Sequence, residues 1–540
     1  MASISVLQAR TNSSRLPGKV LLPINDIALA VLAAKRAANT GRPVIIATSR
    51  ERSDGGLVRH LKGHGLSYFR GSLENTLDRV VSALAEYHDD TVVFRLTADN
   101  VFPDGTLLDE MEAYFLVQGL DYLCCNGQPS GLPYGMSVEV TRLAHLREAA
   151  RESVDAYDQE HVTPYVIRKF GRKYFEKYQY VKMAHYRCTI DCLDDYLAVQ
   201  QAFTGVLEPV QEPFLELVRR LKGVALQPVG DHPALKLVFG TAQLGGQYGI
   251  ANKTGQPSEK ACQELIKTAI ANGVAYIDTA RAYGNSEAVI GQSLRNGWEG
   301  RAKIITKLSP LQDCPQDASA ATVNAFVDAS IFKSCAALGY QKIDVLVLHR
   351  ASHLDDWDGA AWQRLLVLQA TGLIGELGVS VQSPEELSLA LHTPKISHIQ
   401  FPFNLLDWRW DQVIPTILIV KASRVLTIHV RSALLQGLLP SIDEKLWWRA
   451  NVDQSAPIIA WLQNQVKSCH RANVTDLCVS YVNALGWIDG IAIGMENMTQ
   501  LIDNIHFFNL PVLTENQMID IQKTRPRLSE STFNPSHWRK

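Results

Sequence analysis

The sequence predicts an α/β protein of more than one domain whose C-terminal half is a closed (β/α)8 TIM barrel. Three observations predict it. The chain has 540 residues, too many for one ordinary hydrophobic core. From about residue 236 to residue 525, eight short apolar runs alternate with longer runs of helical period, the pattern of a parallel barrel. Ahead of them, LKGVALQPVGDHPALK gathers two glycines and two prolines, which is boundary chemistry rather than the interior of an element. The expected division is a first domain over 1–228, a linker over 229–236, the barrel over 237–525 and a polar tail over 526–540.

Composition narrows the classes. The chain is 46% hydrophobic and 20% charged, as soluble globular proteins are. A formal net charge of -2 gives no global pull toward nucleic acid or an anionic membrane. No apolar run approaches the ~20 residues of a membrane helix, so no membrane insertion is expected. MASISVLQAR lacks a basic leader and a long apolar run, and reads as a first strand rather than a signal peptide. The nine cysteines include the neighbours Cys124 and Cys125 and the pair Cys188 and Cys192. None forms the matched CxxC pairs of structural zinc, and an odd count fits reduced thiols in a cytoplasm.

Taken in order, the chain opens with a strand, Ile4 to Leu7, and the loop QARTNSSRLPGKVLLPI. Arg10, Arg15 and Lys19 stand there among Gly, Ser and Pro. Such a loop suits a polyphosphate: the cations neutralise it and small residues let backbone N–H groups approach. It is not a Walker loop, because GxxxxGK[ST] is absent. Charge alone leaves a solvated basic turn equally open.

The order of residue types says more. QARxxSxRLPGKxL resembles the signature of sugar nucleotidylyltransferases of the spore-coat polysaccharide type, relatives of the enzymes that make CMP-activated sugar acids. PVIIATS (Pro43 to Ser49), FRGSLENTLDRV (Phe69 to Val80), VVFRLTADN (Val92 to Asn100), LPYGMSVEV (Leu132 to Val140), QEHVTPYV (Gln159 to Val166) and CTIDCLDDY (Cys188 to Tyr196) follow in that family's order. The resemblance implies an α/β/α, Rossmann-like domain with a mostly parallel sheet and a nucleotide, CTP or another NTP, at the carboxyl edge of its strands. It also implies Mg2+ held by Asp99 and Asp191, with Gly135 and Glu139 on the sugar-side loop. Attack of a sugar oxygen on an α-phosphate builds negative charge, which a divalent cation, Arg and Lys stabilise. Ser137, Gln159 and Asn100-Val101 depart from the family's usual residues, and these departures bear on the acceptor more than on the nucleotide.

In the second half the strand candidates are Val238 to Gln243, Ala275 to Ala280, Lys303 to Leu308, Ile343 to His349, Gly375 to Ser380, Ile396 to Phe403, Arg424 to Ser432 and Gly490 to Met495. Helix-period runs such as Glu259 to Asn272 and Ala318 to Leu338 lie between them. Asp278, Lys307 and His349 each end a strand, and Tyr283 lies on the loop after one. In a barrel of this kind, strand C-termini carry the chemistry. A lone Tyr or His is most simply a loop or core residue, whereas these four together form a proton-transfer set.

That set resembles the catalytic tetrad of the aldo/keto reductases. The resemblance implies carbonyl reduction: hydride from a nicotinamide, a proton from Tyr283, Lys307 paired with Asp278 to ease that donation, and His349 to orient the carbonyl. The cofactor positions it implies are Gly240, Thr241, Ser380, Gln400, Arg431, Ser432, Leu434, Gln436, Gly494, Glu496, Gln500 and Asn504. Arg431 stands where a stacking Tyr is usual, and its planar guanidinium suits covering the ring. Glu496 stands where NADPH users often carry a cation, which favours NADH, or weak discrimination between NADH and NADPH. The family often places a substrate-covering segment at the tail, Thr524 to Lys540, and a frayed end fits its polar composition equally.

Together the two resemblances imply a bifunctional cytoplasmic enzyme that acts on sugars for a surface glycan without nucleic-acid partners, with a homo-oligomer left open. Two other readings stay open: a single oxidoreductase whose first domain only binds a nucleotide-sugar, and a nicotinamide-sensing regulatory protein.

Overall fold

The computed structural model describes residues 2–229, 232–252 and 255–539. The chain divides into two compact units, Met1–His232 and Pro233–Lys540. Of the expected linker, residues 230 and 231 lie outside the described residues.

The first unit is built on strands β1 (Ser3–Gln8), β4 (Val44–Ser49), β5 (Ser67–Gly71), β6 (Val92–Thr97), β7 (Tyr122–Cys124) and β8 (Glu139–Arg142), with a small ribbon of β2 (Pro23–Ile24) and β3 (Ile27–Ala28). The sheet runs β5-β4-β1-β6-β8-β7. Only β8 is antiparallel to its neighbours, β6 and β7. Both faces are covered. Along β6, Val92, Phe94 and Leu96 join one apolar cluster while Val93 joins the other, and β1 divides Leu7 from Ile4 and Val6 in the same way. Side chains alternate across a strand, so apolar residues on both faces require a layer of helices on each.

The second unit is a closed, all-parallel barrel of β9 (Leu237–Gly240), β10 (Tyr276–Asp278), β11 (Lys303–Lys307), β12 (Ile343–Leu348), β13 (Ile374–Ser380), β14 (His398–Pro402), β15 (Thr427–Arg431) and β16 (Gly490–Gly494). Closure is made by β16 pairing with β9, Gly494 opposite Gly240. Each expected strand has its counterpart, and the differences lie at the ends. The run Arg424 to Ser432 shortens to β15 for two local reasons. Arg424 turns its guanidinium onto the carbonyls of Leu391 and Ile396, and Ser432 takes a φ of 62°, which no strand continues. The barrel's apolar filling draws on Val238, Ile305, Val345 and Val347.

The polar tail is docked rather than frayed. After the helix Glu515–Thr524 the chain makes two short 3-10 turns, Glu530–Phe533 and Pro535–His537. Thr532 and Phe533 are buried, Arg409 lies over the Phe533 ring at 5.2 Å, and Trp408 Nε1 donates to Leu528 O at 3.1 Å. One buried phenylalanine, with the hydrogen bonds around it, holds the polar tail in place.

Candidate active sites

The barrel strands deliver their last residues to one rim. Asp278 ends β10, Lys307 ends β11, His349 follows β12, Ser380 ends β13, Arg431 ends β15, and Gly240 and Gly494 end β9 and β16. Lys307 Nζ donates to Asp278 Oδ1 at 2.7 Å and to Thr279 O at 2.9 Å. Gln400 Nε2 donates to the same Asp278 oxygen at 3.0 Å. Lys307 is 1% exposed and Asp278 5%. Burial favours the neutral amine, yet the Asp278 carboxylate outweighs it and raises Lys307 above its ordinary range.

Above this pair, Lys307 Nζ lies 5.1 Å from the Tyr283 ring centroid. The Tyr283 and His349 rings meet edge to face with centroids 6.2 Å apart. Burial, then the positive charges of Lys307 and Arg431, push His349 down to about 4, so the imidazole is neutral at physiological pH. Its Nδ1 is buried without a partner.

A cavity of about 580 Å³ opens over these groups. Asp278, Tyr283, Lys307 and His349 line it, with Gly240, Thr241, Ser380, Arg431, Ser432, Leu434, Gln436, Gly494, Glu496, Gln500 and Asn504. Gln400 is not among its walls. It is fully buried below the rim, holding Asp278, with its Oε1 unpartnered. The lining fits an extended dinucleotide: Gly240 and Gly494 leave the strand ends bare, Gln436, Gln500 and Asn504 offer polar groups, and His349 Nδ1 is buried without a partner. Sequence reasoning missed Gln243, whose amide fills the space a side chain at Gly494 would need, and Asp503, a second carboxylate beside Glu496 in the same lining.

In the first unit, Arg10, Arg15, Lys19, Asp99 and Asp191 line one cavity of about 270 Å³. Lys19 Nζ donates to Asp99 Oδ2 at 2.6 Å, to Ile190 O at 2.6 Å and to Asp191 Oδ1 at 3.3 Å. Arg15 reaches the same Asp191 oxygen at 2.8 Å, and Arg187 closes on the other. Burial opposes ionisation of Asp99, but the Lys19 ammonium overrides it and holds the carboxyl below its usual range. Among the described residues no cluster of three or more His, Cys, Asp or Glu is placed to hold a metal. Two carboxylates converging on one cation nevertheless fit Mg2+, which takes few protein ligands and completes its shell with phosphate oxygens and water.

Thr11, on the loop after β1, is pinned by Asp54, which accepts from its N–H and its hydroxyl at 2.7 Å each. Glu139, expected on the sugar side, is instead a buried hub, accepting from Tyr122, Arg95 and Thr163. It opens β8 directly opposite Arg95 of β6. Arg79 and Arg187 were not legible as site residues. Arg79 lines the cavity, held by Ser72 and Leu73 carbonyls. The signals were the place of Arg79 in FRGSLENTLDRV and, for Arg187, its closeness in sequence to Asp191.

Among the described residues no helix is long and apolar enough to cross a membrane.

Comparison with known proteins matches residues 236–525 to the aldo/keto reductase family and residues 4–226 to the cytidylyltransferase family. The first domain is 33% identical over 234 residues to the uncharacterized protein MJ1063 of Methanocaldococcus jannaschii, spanning 42% of this chain and 94% of that protein. It is 31% identical over 227 residues to the spore coat polysaccharide biosynthesis protein SpsF of Bacillus subtilis, spanning 40% of this chain and 92% of that protein. The solved structures include an aldo-keto reductase of Bacillus halodurans in holo form, at 20% identity and a TM-score of 0.45, spanning 54% of this chain and 93% of that one. Both families are enzyme families, and aldo/keto reductases use NAD(P)H. The chain belongs to the aldo/keto reductase family and carries a cytidylyltransferase-family domain ahead of its barrel.

Proposed function

We propose that the chain is a bifunctional cytoplasmic enzyme of sugar metabolism. Its first domain transfers CMP from CTP to a sugar acid or related sugar. Its barrel reduces a carbonyl, or oxidises an alcohol, on a related sugar, in the making of activated sugars for a surface glycan. The observation that carries the redox half is the Lys307–Asp278 pair, buried directly beneath Tyr283 and His349. A regulatory nicotinamide sensor has no use for a proton donor set over a buried ion pair.

A bound nicotinamide supplies or accepts the hydride. Tyr283 gives its phenolic proton to the carbonyl oxygen. Lys307 stabilises the phenolate left behind, and Asp278 keeps that ammonium charged in a site whose burial would discharge it. His349, neutral because of burial and its cationic neighbours, donates a hydrogen bond to the carbonyl without competing for Tyr283's role. Gln400 fixes the Asp278 carboxylate. Arg431 and Ser380 flank the nicotinamide end, and Glu496, Gln500 and Asn504 the adenosine end. Two carboxylates there, Glu496 and Asp503, favour a free ribose hydroxyl over a 2′-phosphate, hence NADH.

In the first domain Mg2+, when bound at Asp99 and Asp191, supplies positive charge to the phosphate oxygens. Arg10, Arg15 and Lys19 orient the triphosphate and take up charge as pyrophosphate departs.

The test is paired. NADH oxidation with a panel of keto- and aldo-sugars is measured for the parent and Tyr283→Phe, and pyrophosphate release from CTP for the parent and Asp99→Asn. Each substitution is expected to abolish its own reaction and spare the other. Turnover by Tyr283→Phe at the parental rate would overturn the assignment of the acid.

A further inference from the structure

In the first unit the helix Ala156–His161 ends and the helix Pro164–Phe170 begins within three residues. The corner between them is centred on Val162, at φ 73° and ψ −52°. It is closed by a hydrogen bond from Thr163 N–H to His161 O at 2.9 Å. This is the strained member of the three-residue turns, and a β-branched side chain is the wrong residue for it.

The surroundings hold it there. The Val162 side chain is fully buried in the apolar cluster of Ile4, Val6 and Leu143. Thr163 Oγ1 donates to Glu139 Oε1 at 2.9 Å. Glu139 also accepts from Arg95 at 2.9 Å, and Arg95 donates on to Gln8 Oε1 at 2.9 Å. Gln8 ends β1, at the start of the phosphate loop. A part-buried chain of charged and polar groups therefore ties that loop to the strained corner. Strain kept by over-determined surroundings gathers at functional sites.

The corner presents Glu160 and His161 to the cavity that holds Lys19, Asp99 and Asp191. Its other charged walls are Arg10, Arg15 and Arg79. The cations suit the triphosphate, and the two aspartates suit a divalent cation. Of the two side chains the corner presents, His161 carries an imidazole, the group most often used as a general base.

We propose that His161 is the general base of nucleotidyl transfer, and that Val162, Thr163 and Glu139 position it. This rests on the cytidylyl-transfer reading given above. As the acceptor's hydroxyl oxygen bonds to the α-phosphorus of CTP, its O–H bond breaks and the proton passes to a ring nitrogen of His161. The bond from the α-phosphorus to the bridging oxygen breaks, and its electron pair leaves with pyrophosphate. Nothing is oxidised or reduced.

The test uses the full chain with Mg2+ and CTP, and offers a 3-deoxy-2-keto sugar acid, a uronic acid, a hexose and water as acceptors. Pyrophosphate release gives turnover, and calorimetry gives CTP affinity. His161→Gln is expected to lose about a hundredfold or more in turnover, with CTP affinity kept within about threefold. Added imidazole is expected to restore part of the turnover of His161→Gly. Thr163→Val is expected to slow turnover at unchanged CTP affinity, and Thr163→Ser, which keeps the hydroxyl on Glu139, to restore it. Parental turnover in His161→Gln, or a loss matched by an equal loss of CTP affinity, overturns the proposal. If the parent itself releases no pyrophosphate with any acceptor, the cytidylyl-transfer reading falls and this one with it.

Discussion

Lys307 Nζ sits 2.7 Å from Asp278 Oδ1, and the two side chains are 1% and 7% exposed. Removing either partner strands the other charge in the barrel. Asp278→Leu is therefore expected to cost about 3–5 kcal/mol, as breaking buried pairs does. It is also expected to cancel the redox activity, because burial then discharges Lys307. Urea unfolding and NADH oxidation check the two effects separately. A variant that unfolds at the parental midpoint would show that the pair contributes no such stability.

Two histidines fill the barrel beneath that pair. The rings of His398 and His429 meet edge to face with centroids 4.4 Å apart, and none of their four ring nitrogens has a partner. Burial drives both down, His429 to about 4 and His398 well below its ordinary value, where the neighbouring His429 adds to the effect. Both are neutral in the fold, while the unfolded chain takes up protons near pH 6.5. Stability is thus full above about pH 6.5 and is lost as pH falls toward 4, by about 3 kcal/mol for His429 alone. Urea midpoints at pH 7, 5.5 and 4.5 are expected to fall less steeply in His429→Leu than in the parent. Equal slopes would mean that the pair does not govern the acid limb.

Much of this was legible beforehand because period and position carry it. A strand's last residue and its register in a closed barrel follow from the sequence, so Asp278, Lys307 and His349 announced themselves at the rim. Gln400 did not: it lies within β14 and not past its end, so it supports Asp278 from below instead of facing the cavity. Glu139 shows the same limit. Expected on a loop, it opens β8, and the antiparallel pairing of β8 with β6 turns it toward Tyr122 and Thr163. Composition left a covering segment and a frayed end equally open for the tail, and the buried Phe533 is what holds it in place.

Glu496 is expected to set the choice of cofactor. Its backbone N–H donates to Gln500 Oε1 at 2.8 Å and its carboxylate accepts from Gln500 Nε2 at 3.2 Å. The acid is thus fixed in the cavity wall, near Asp503. A 2′-phosphate brought there meets like charge. The parent is expected to favour NADH over NADPH in kcat/KM, and Glu496→Arg to shift that ratio toward NADPH by about tenfold or more, roughly 1.4 kcal/mol. An unchanged ratio would place the ribose elsewhere.

Lys19 occupies the point where Asp99, Asp191 and the Ile190 carbonyl converge. Lys19→Met is expected to destabilise the first domain by leaving two carboxylates facing each other with less compensation, although Arg15 and Arg187 still reach Asp191. The same change opens the point to another cation. Added Mg2+ is therefore expected to raise the melting temperature of Lys19→Met more than that of the parent, because binding to the folded state alone stabilises it. The double variant Lys19→Met, Asp99→Asn removes one of the two acids and is expected to lose that response. Thermal melts with and without Mg2+ read this without any sugar acceptor. A response that survives the loss of Asp99 would move the cation to another part of the molecule.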